Sequence, residues 1–127
     1  MLKWLSDQLG IPFDADFSYP IGFAHQDRLI AVVAFHDYRP PDVHFSVAAT
    51  SPRWATRANL DALYRYAFEF LKCGRVTAVT NKSNKRARSA LERAGFKLEG
   101  VMRHQRPNGE DGMLYGLLKE EFKITHG

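Results

Sequence analysis

Apolar and polar positions along the chain change period several times, and each change marks an element. In "MLKWLSDQL", Leu2, Leu5 and Leu9 fall on one helical side with Trp4 beside them, which predicts a short helix. "SYPIGFAHQDRLIAVVAFHDY" holds two β-rich runs parted by the polar "HQDR", the pattern of a hairpin. "RPPD" breaks the second run. In "VHFSVAAT", Val43, Phe45 and Val47 alternate with His44, Ser46 and Ala48, which predicts a third strand. Leu60, Leu63, Tyr64, Ala67, Phe68 and Leu71 then keep helical spacing across residues 54–73, with Gly74 placed to end that helix. "RVTAVT" predicts a short apolar strand. Ala87, Ala90, Leu91 and Ala94 form the stripe of another helix, capped by Ser83 or Asn84 and closed by a left-handed Gly95. Last, "FKLEGVMRHQR" and "MLYGLLK" flank "PNGEDG", whose Asn-Gly and Asp-Gly pairs predict a turn between strands.

The predicted order is helix, three strands, helix, strand, helix, two strands. Central alternation of helix and strand with antiparallel runs on either side predicts an α/β fold (α+β by some schemes) built on a mixed sheet. No linker or repeat divides the chain, so residues 1–127 are read as a single domain.

Composition narrows the classes. Apolar residues make up 45% and aromatics 13%, which excludes a disordered chain. No apolar run reaches the ~18 residues of a membrane span, and "MLKWLSDQLG" is too polar for a secretory signal. Cys73 is the single cysteine and permits no internal disulfide, which points to a cytoplasmic setting and a packing role. Histidines 25, 36, 104 and 126 show no metal spacing, and no metal is expected.

Charge adds a puzzle. The net charge is +4, yet residues 82–106 alone carry eight Lys/Arg against two Glu, and residues 1–50 are net negative. Such asymmetry points to an anionic partner on one face. Lys82, Lys85, Arg86 and Arg88 crowd the start of the predicted third helix, where the backbone dipole is already positive. Cations there cost from a few tenths to about 1 kcal/mol each. "VAATSPRWATRANL" has the same design: a strand, a basic loop and a helix start. Exposed N–H groups at a helix start, joined by Arg or Lys, form a phosphate site. The alternative for the first copy is Ser51 as a plain N-cap with Pro52 at the first helical position.

"NKRARSALERAGFKLEGVMR" resembles the C-terminal signature of the GNAT N-acetyltransferase superfamily, nearest its ribosomal-protein N-terminal acetyltransferase branch. Asn84, Gly95, Phe96, Glu99, Gly100 and Arg103 match that pattern. "RWATRA" resembles the family's pyrophosphate loop, Arg/Gln-x-x-Gly-x-Gly/Ala, at Arg53 and Ala58, with Thr56 in place of the middle glycine. The short chain and its "SPRW" stretch also resemble small phage-encoded members.

The resemblance implies a GNAT-like, mostly antiparallel sheet with helices on both faces and a shortened N-terminal region. It implies acetyl-CoA as co-substrate and direct acetyl transfer to a primary amine. Backbone N–H groups of Ala55, Thr56, Arg57 and Ala58 would then hold the pyrophosphate, and the main chain of Val47, Ala48 and Ala49 would pair with pantetheine. Asn84 would hold the inner arm, with Arg53, Arg57, Lys85, Arg86 and Arg88 as phosphate contacts. His44 and Asp42 are the candidate bases, and Glu99 is read as a family match or as an arginine's ion-pair partner. Thr56 is expected to bend the loop differently or weaken the site. Family proton donors are missing: Ala87 stands three residues after Asn84, and Leu91 seven after. An open acceptor side, or one completed by a second subunit as a homodimer, follows from the short N-terminal region. Two alternatives are a CoA-binding protein of weak turnover and a basic nucleic-acid module. The second lacks interleaved aromatics and any helix-turn-helix or zinc-finger spacing.

Overall fold

The computed structural model describes residues 1–9 and 18–126. Its elements are α1 (Leu2–Leu9), β1 (Tyr19–His25), β2 (Arg28–Arg39), β3 (Asp42–Ala49), α2 (Arg57–Arg65), β4 (Arg75–Asn81), α3 (Lys85–Arg93), β5 (Lys97–Met102), β6 (Gly112–Leu118) and α4 (Lys119–His126). The connector expected between the first helix and first strand lies outside the described residues.

Six strands form one sheet in the order β1-β2-β3-β4-β6-β5. Among the described residues, only the central β3–β4 pair is parallel; the other four neighbour pairs are antiparallel. The β1–β2 hairpin turns at Gln26 and Asp27, both left-handed at φ 52° and 61°, as a tight two-residue connection requires.

Strand alternation sends two sets of side chains to opposite faces. Val43 and Phe45 of β3, Val76 and Ala78 of β4, and Met113, Tyr115 and Leu117 of β6 join the larger core. That core is closed by Leu63 and Tyr64 of α2, Leu91 of α3 and Phe122 of α4. Phe96 lies between Phe45 and Tyr64, with ring centroids 5.7 and 6.2 Å away. On the other face, Leu5 of α1 packs with Val32, Ala34 and Ala48. Helices therefore cover both faces.

Several expectations are corrected. The helix expected over 54–73 starts at Arg57, after a 3-10 turn at Pro52–Trp54, and its second half, Tyr66–Phe70, is π-helical. The delay arises because Trp54 is drawn into the core beside Phe23, 5.8 Å away. Ser51 accordingly caps only the 3-10 turn, accepting from the Arg53 N–H at 3.3 Å. Gly74 does not end the helix: Lys72 takes the left-handed conformation after it at φ 61°, and the Gly74 N–H donates to Pro41. Gly95 is left-handed at φ 101° as expected. The strand expected over 96–106 stops at Met102, and the last helix, α4, had no apolar stripe to announce it.

Candidate active site

β3 and β4 pair only through Asp42–Arg75, Val43–Val76 and His44–Thr77. Beyond those residues β3 stays paired with β2 as far as Ala49, and β4 with β6 as far as Asn81. Main-chain groups of Val47, Ala48 and Ala49 that point away from β2 thus face a gap between two parallel strands. In open α/β sheets, ligands enter at the carboxyl ends of such strands. Both strands lead into helix starts at that same end, α2 after β3 and α3 after β4.

Each start is capped. Thr56 is extended (φ −72°, ψ 158°), and its hydroxyl accepts from the Asn59 N–H at 3.1 Å. Its conformation suits any L-residue, so Thr56 sits there without backbone strain. The hydroxyl takes up one helix-start donor and leaves those of Arg57 and Ala58, which have no intrahelical acceptor. Asn84 caps α3, its Oδ1 accepting from the Ala87 N–H at 3.1 Å. Its amide nitrogen has no protein partner among the described residues.

The misplaced cations separate into two groups. Arg88 turns inward, donating to the Tyr115 hydroxyl at 3.2 Å and the Lys82 carbonyl at 3.1 Å. Arg53, Arg57, Lys82, Lys85 and Arg86 are exposed and form no ion pair among the described residues. Glu110 partly offsets them: its carboxylate accepts from the Ser83 N–H at 3.0 Å and from the amides of Asn81 and Asn108. These bonds, those from Ser83 foremost, hold its carboxyl well below the usual range, at about 2. The "PNGEDG" stretch, read as a plain turn, supplies this anchor. Beside the α2 loop lies a groove of about 440 Å³ lined by His25, Arg28, Ile30, Thr50, Ser51 and Arg53.

At the point where the strands part, a polar chain crosses the sheet on the face opposite the large core. His44 Nε2 is 3.5 Å from Asp42 Oδ2. Asp42 accepts from the Thr77 hydroxyl at 2.7 Å, Thr77 accepts from Arg75 Nε at 3.0 Å, and Arg75 pairs with Glu99 at 2.7 Å. Glu99 is therefore an arginine's partner. That pair lies across β6 at Gly116, where a Cβ would come within 2.7 Å of Arg75 Nη2. The pairing with Glu99 raises the guanidinium's pKa, so this end of the chain stays charged.

Sequence reasoning missed Thr77 and Arg75 as partners of Asp42, and it also missed His36. The ring of His36 is 5.7 Å from that of His44, and its Nε2 is 2.7 Å from Ser46 Oγ. Burial pushes the His36 pKa down, against the opposing pull of Asp37. Cys73 is buried, and its thiol pKa is pushed up by burial, which fits packing and not nucleophilic chemistry.

Residues 3–97 match the acetyltransferase (GNAT) domain family, and the chain belongs to it. Solved structures agree with the topology. A putative acetyltransferase from T. thermophilus superposes with a TM-score of 0.73 at 29% identity, over 94% of this chain and 66% of its own. Ribosomal-protein-S5-alanine acetyltransferase from Vibrio fischeri gives 0.71 at 16% identity, over 83% and 63%. Mycobacterium smegmatis RimJ, in complex with CoA-disulfide, gives 0.69 at 16% identity, over 83% and 55%. The chain thus spans about two thirds or less of these proteins' lengths, and the last two show likeness of fold alone. None of the curated proteins matches the chain significantly. Among the described residues, no helix is long and apolar enough to cross a membrane.

Proposed function

We propose that residues 1–127 act as one N-acetyltransferase unit that moves an acetyl group from acetyl-CoA to a primary amine by direct attack. The observation that carries this reading is the parting of β3 from β4 after His44 and Thr77, with two cation-flanked helix starts at the open end. Pantetheine amides fit main-chain groups of Val47, Ala48 and Ala49. Pyrophosphate fits the N–H groups of Arg57 and Ala58, with Ala55 and Thr56 beside them, and exposed Arg53, Lys85 and Arg86 add charge. Arg88 helps indirectly by fixing α3 against β6.

When bound, acetyl-CoA supplies a thioester: the amine nitrogen bonds to its carbonyl carbon, the C–S bond breaks, and the sulfur leaves as thiolate. A strand N–H near Val47 or Ala48 stabilises the transient oxyanion. His44 accepts the proton that the amine gives up, and a positioned base of this kind contributes about 10²–10⁴-fold. Asp42 orients the ring and is itself fixed by Thr77 and Arg75. The Asn84 amide nitrogen steadies the inner arm. Peptide N-termini are the first acceptors to test, given the likeness to the ribosomal-protein branch.

Ala87 and Leu91 carry no proton donor, and Leu91 is buried; these residues favour a second reading, CoA binding with weak turnover. A melting curve with acetyl-CoA, with ATP as phosphate control, tests the site. At about 100 times the dissociation constant the ligand adds roughly 2.7 kcal/mol. Thiol release with an amine panel then separates the readings: turnover supports transfer, and a saturable shift without turnover supports binding alone. No shift at millimolar acetyl-CoA overturns both.

A further inference from the structure

His36 and His44 stand on the two arms of the β2–β3 hairpin and become cross-strand partners through its register. Because the pair is directly opposed, both rings stand on one sheet face, 5.7 Å apart. The register slips just beyond His36. There Asp37 takes a left-handed conformation, φ 49°, which returns its carboxylate to the His36 ring, 2.8 Å from Nδ1. One ligand atom from each of His36, Asp37 and His44 lies within 4.8 Å of the other two.

We infer that these three side chains form a binding site for a divalent transition-metal ion, with zinc the best match. Zinc bonds to nitrogen and oxygen at about 2.0–2.2 Å, so tetrahedral ligands sit roughly 3.3 Å apart. The His36–Asp37 pair is already closer than that, and His44 must approach by about 1.5 Å at most. Its side chain is 35% exposed and that of Asp37 59%, so both have room to move and the ion has a path from solvent.

The surroundings fit a ligand set. Metal-bound imidazoles commonly donate their other N–H to an oxygen, which fixes tautomer and ring orientation. His36 Nε2 has Ser46 Oγ at 2.7 Å. His44 Nε2 lies 3.5 Å from Asp42 Oδ2, an ion-pair contact longer than a hydrogen bond, and Asp42 is in turn held by Thr77. Two imidazoles and one carboxylate favour zinc, nickel or copper over magnesium or calcium. Three protein ligands leave a fourth position to water. The inference does not rest on acetyl transfer, but it shares His44 and Asp42 with the proposed base: an imidazole bound to zinc cannot also take the amine's proton, so bound zinc would block that role.

The test is equilibrium dialysis of the chelator-treated full chain against micromolar Zn²⁺, with protein-bound metal counted by atomic absorption. One equivalent per chain is expected, unaffected by millimolar Mg²⁺. His36→Gln with His44→Gln should abolish it, and circular dichroism checks that the double variant folds. Should it not fold, Asp37→Asn serves, since its exposed carboxylate supports no core packing. Ser46→Ala keeps all three ligands and should still weaken binding about 10–100-fold, a loss that scattered surface histidines do not produce. His104→Ala should leave binding unchanged. Absence of bound zinc in the wild type, or full retention in the double variant or in Asp37→Asn, overturns the inference.

Discussion

Replacing Thr56 separates the two roles of the loop before α2. Its hydroxyl caps the helix through a 3.1 Å bond from the Asn59 N–H, and Asn59 in turn donates from its amide to the Trp54 carbonyl at 2.7 Å. Removing an N-cap side chain costs typically about 1 kcal/mol for alanine and a few tenths for glycine. Unfolding entropy is roughly 2.1 cal/mol/K per residue, or about 0.27 kcal/mol/K for this length. Thr56→Ala should therefore lower Tm by about 4 °C and Thr56→Gly by about 1 °C, while Thr56→Ser should stay near wild type. The φ of −72° shows that no glycine is needed for the bend. Ligand binding should move the other way. Glycine removes a Cβ from the proposed pyrophosphate site, so the CoA-induced Tm shift of Thr56→Gly should equal or exceed that of wild type, about 10 °C at saturation of 100 times Kd. Differential scanning fluorimetry with and without CoA reads both effects. If Thr56→Ala melts with the wild type, the cap argument fails. If Thr56→Gly loses the CoA shift, the threonine hydroxyl holds phosphate itself, and the division of labour given above is wrong.

Other predictions follow from the same geometry. His44→Ala should lower kcat by about 10²–10⁴-fold yet keep the CoA-induced melting shift, because cofactor contacts are assigned to main chain; full activity in this variant would remove His44 as base. Glu110→Gln should change the acid limb of stability. The folded carboxyl titrates at about 2 against an ordinary 4.5, so its contribution is complete above the ordinary value and lost as pH falls from there toward about 2. Wild type should therefore exceed the variant near neutrality and converge with it in strong acid, and parallel stability–pH curves would refute this. Phe96→Ala empties a site that is 2% exposed between Phe45 and Tyr64. It should cost about 3–5 kcal/mol in urea titration, and a loss below about 1 kcal/mol would mean that the core closes around the gap.

Much of this molecule is written in short-range pattern. The alternation of Val43, Phe45 and Val47, the stripe ending at Leu91 and the left-handed Gly95 each depend on neighbours within a turn or a strand. The GNAT-type run from Asn84 to Arg103 was legible for the same reason, since its residues serve a local cap, a helix end and a strand start. Boundaries were less legible wherever distant packing competes with local preference. Trp54 delays α2 because a buried indole beside Phe23 outweighs an early cap at Ser51, and the left-handed turn falls at Lys72 while the Gly74 N–H bonds to Pro41. α4 has too little apolar periodicity to be seen alone; Phe122 gains its role in the folded chain, against Tyr64 and Phe68 among others.

What tertiary structure alone decided is which side chains meet. Sequence placed Asp42 and His44 on one strand, but parallel pairing with β4 brought Thr77 and Arg75 to Asp42, and Gly116 made room for Arg75 to reach Glu99 across β6. Arg88, counted with the phosphate-facing cations, was turned inward by the Tyr115 hydroxyl. The β2–β3 register set His36 opposite His44, a juxtaposition that linear spacing did not signal and on which the proposed metal site rests. Local propensity fixes which element forms, because its energy is decided among neighbouring residues. A site depends on register and strand order, and those follow from burying both sheet faces at once.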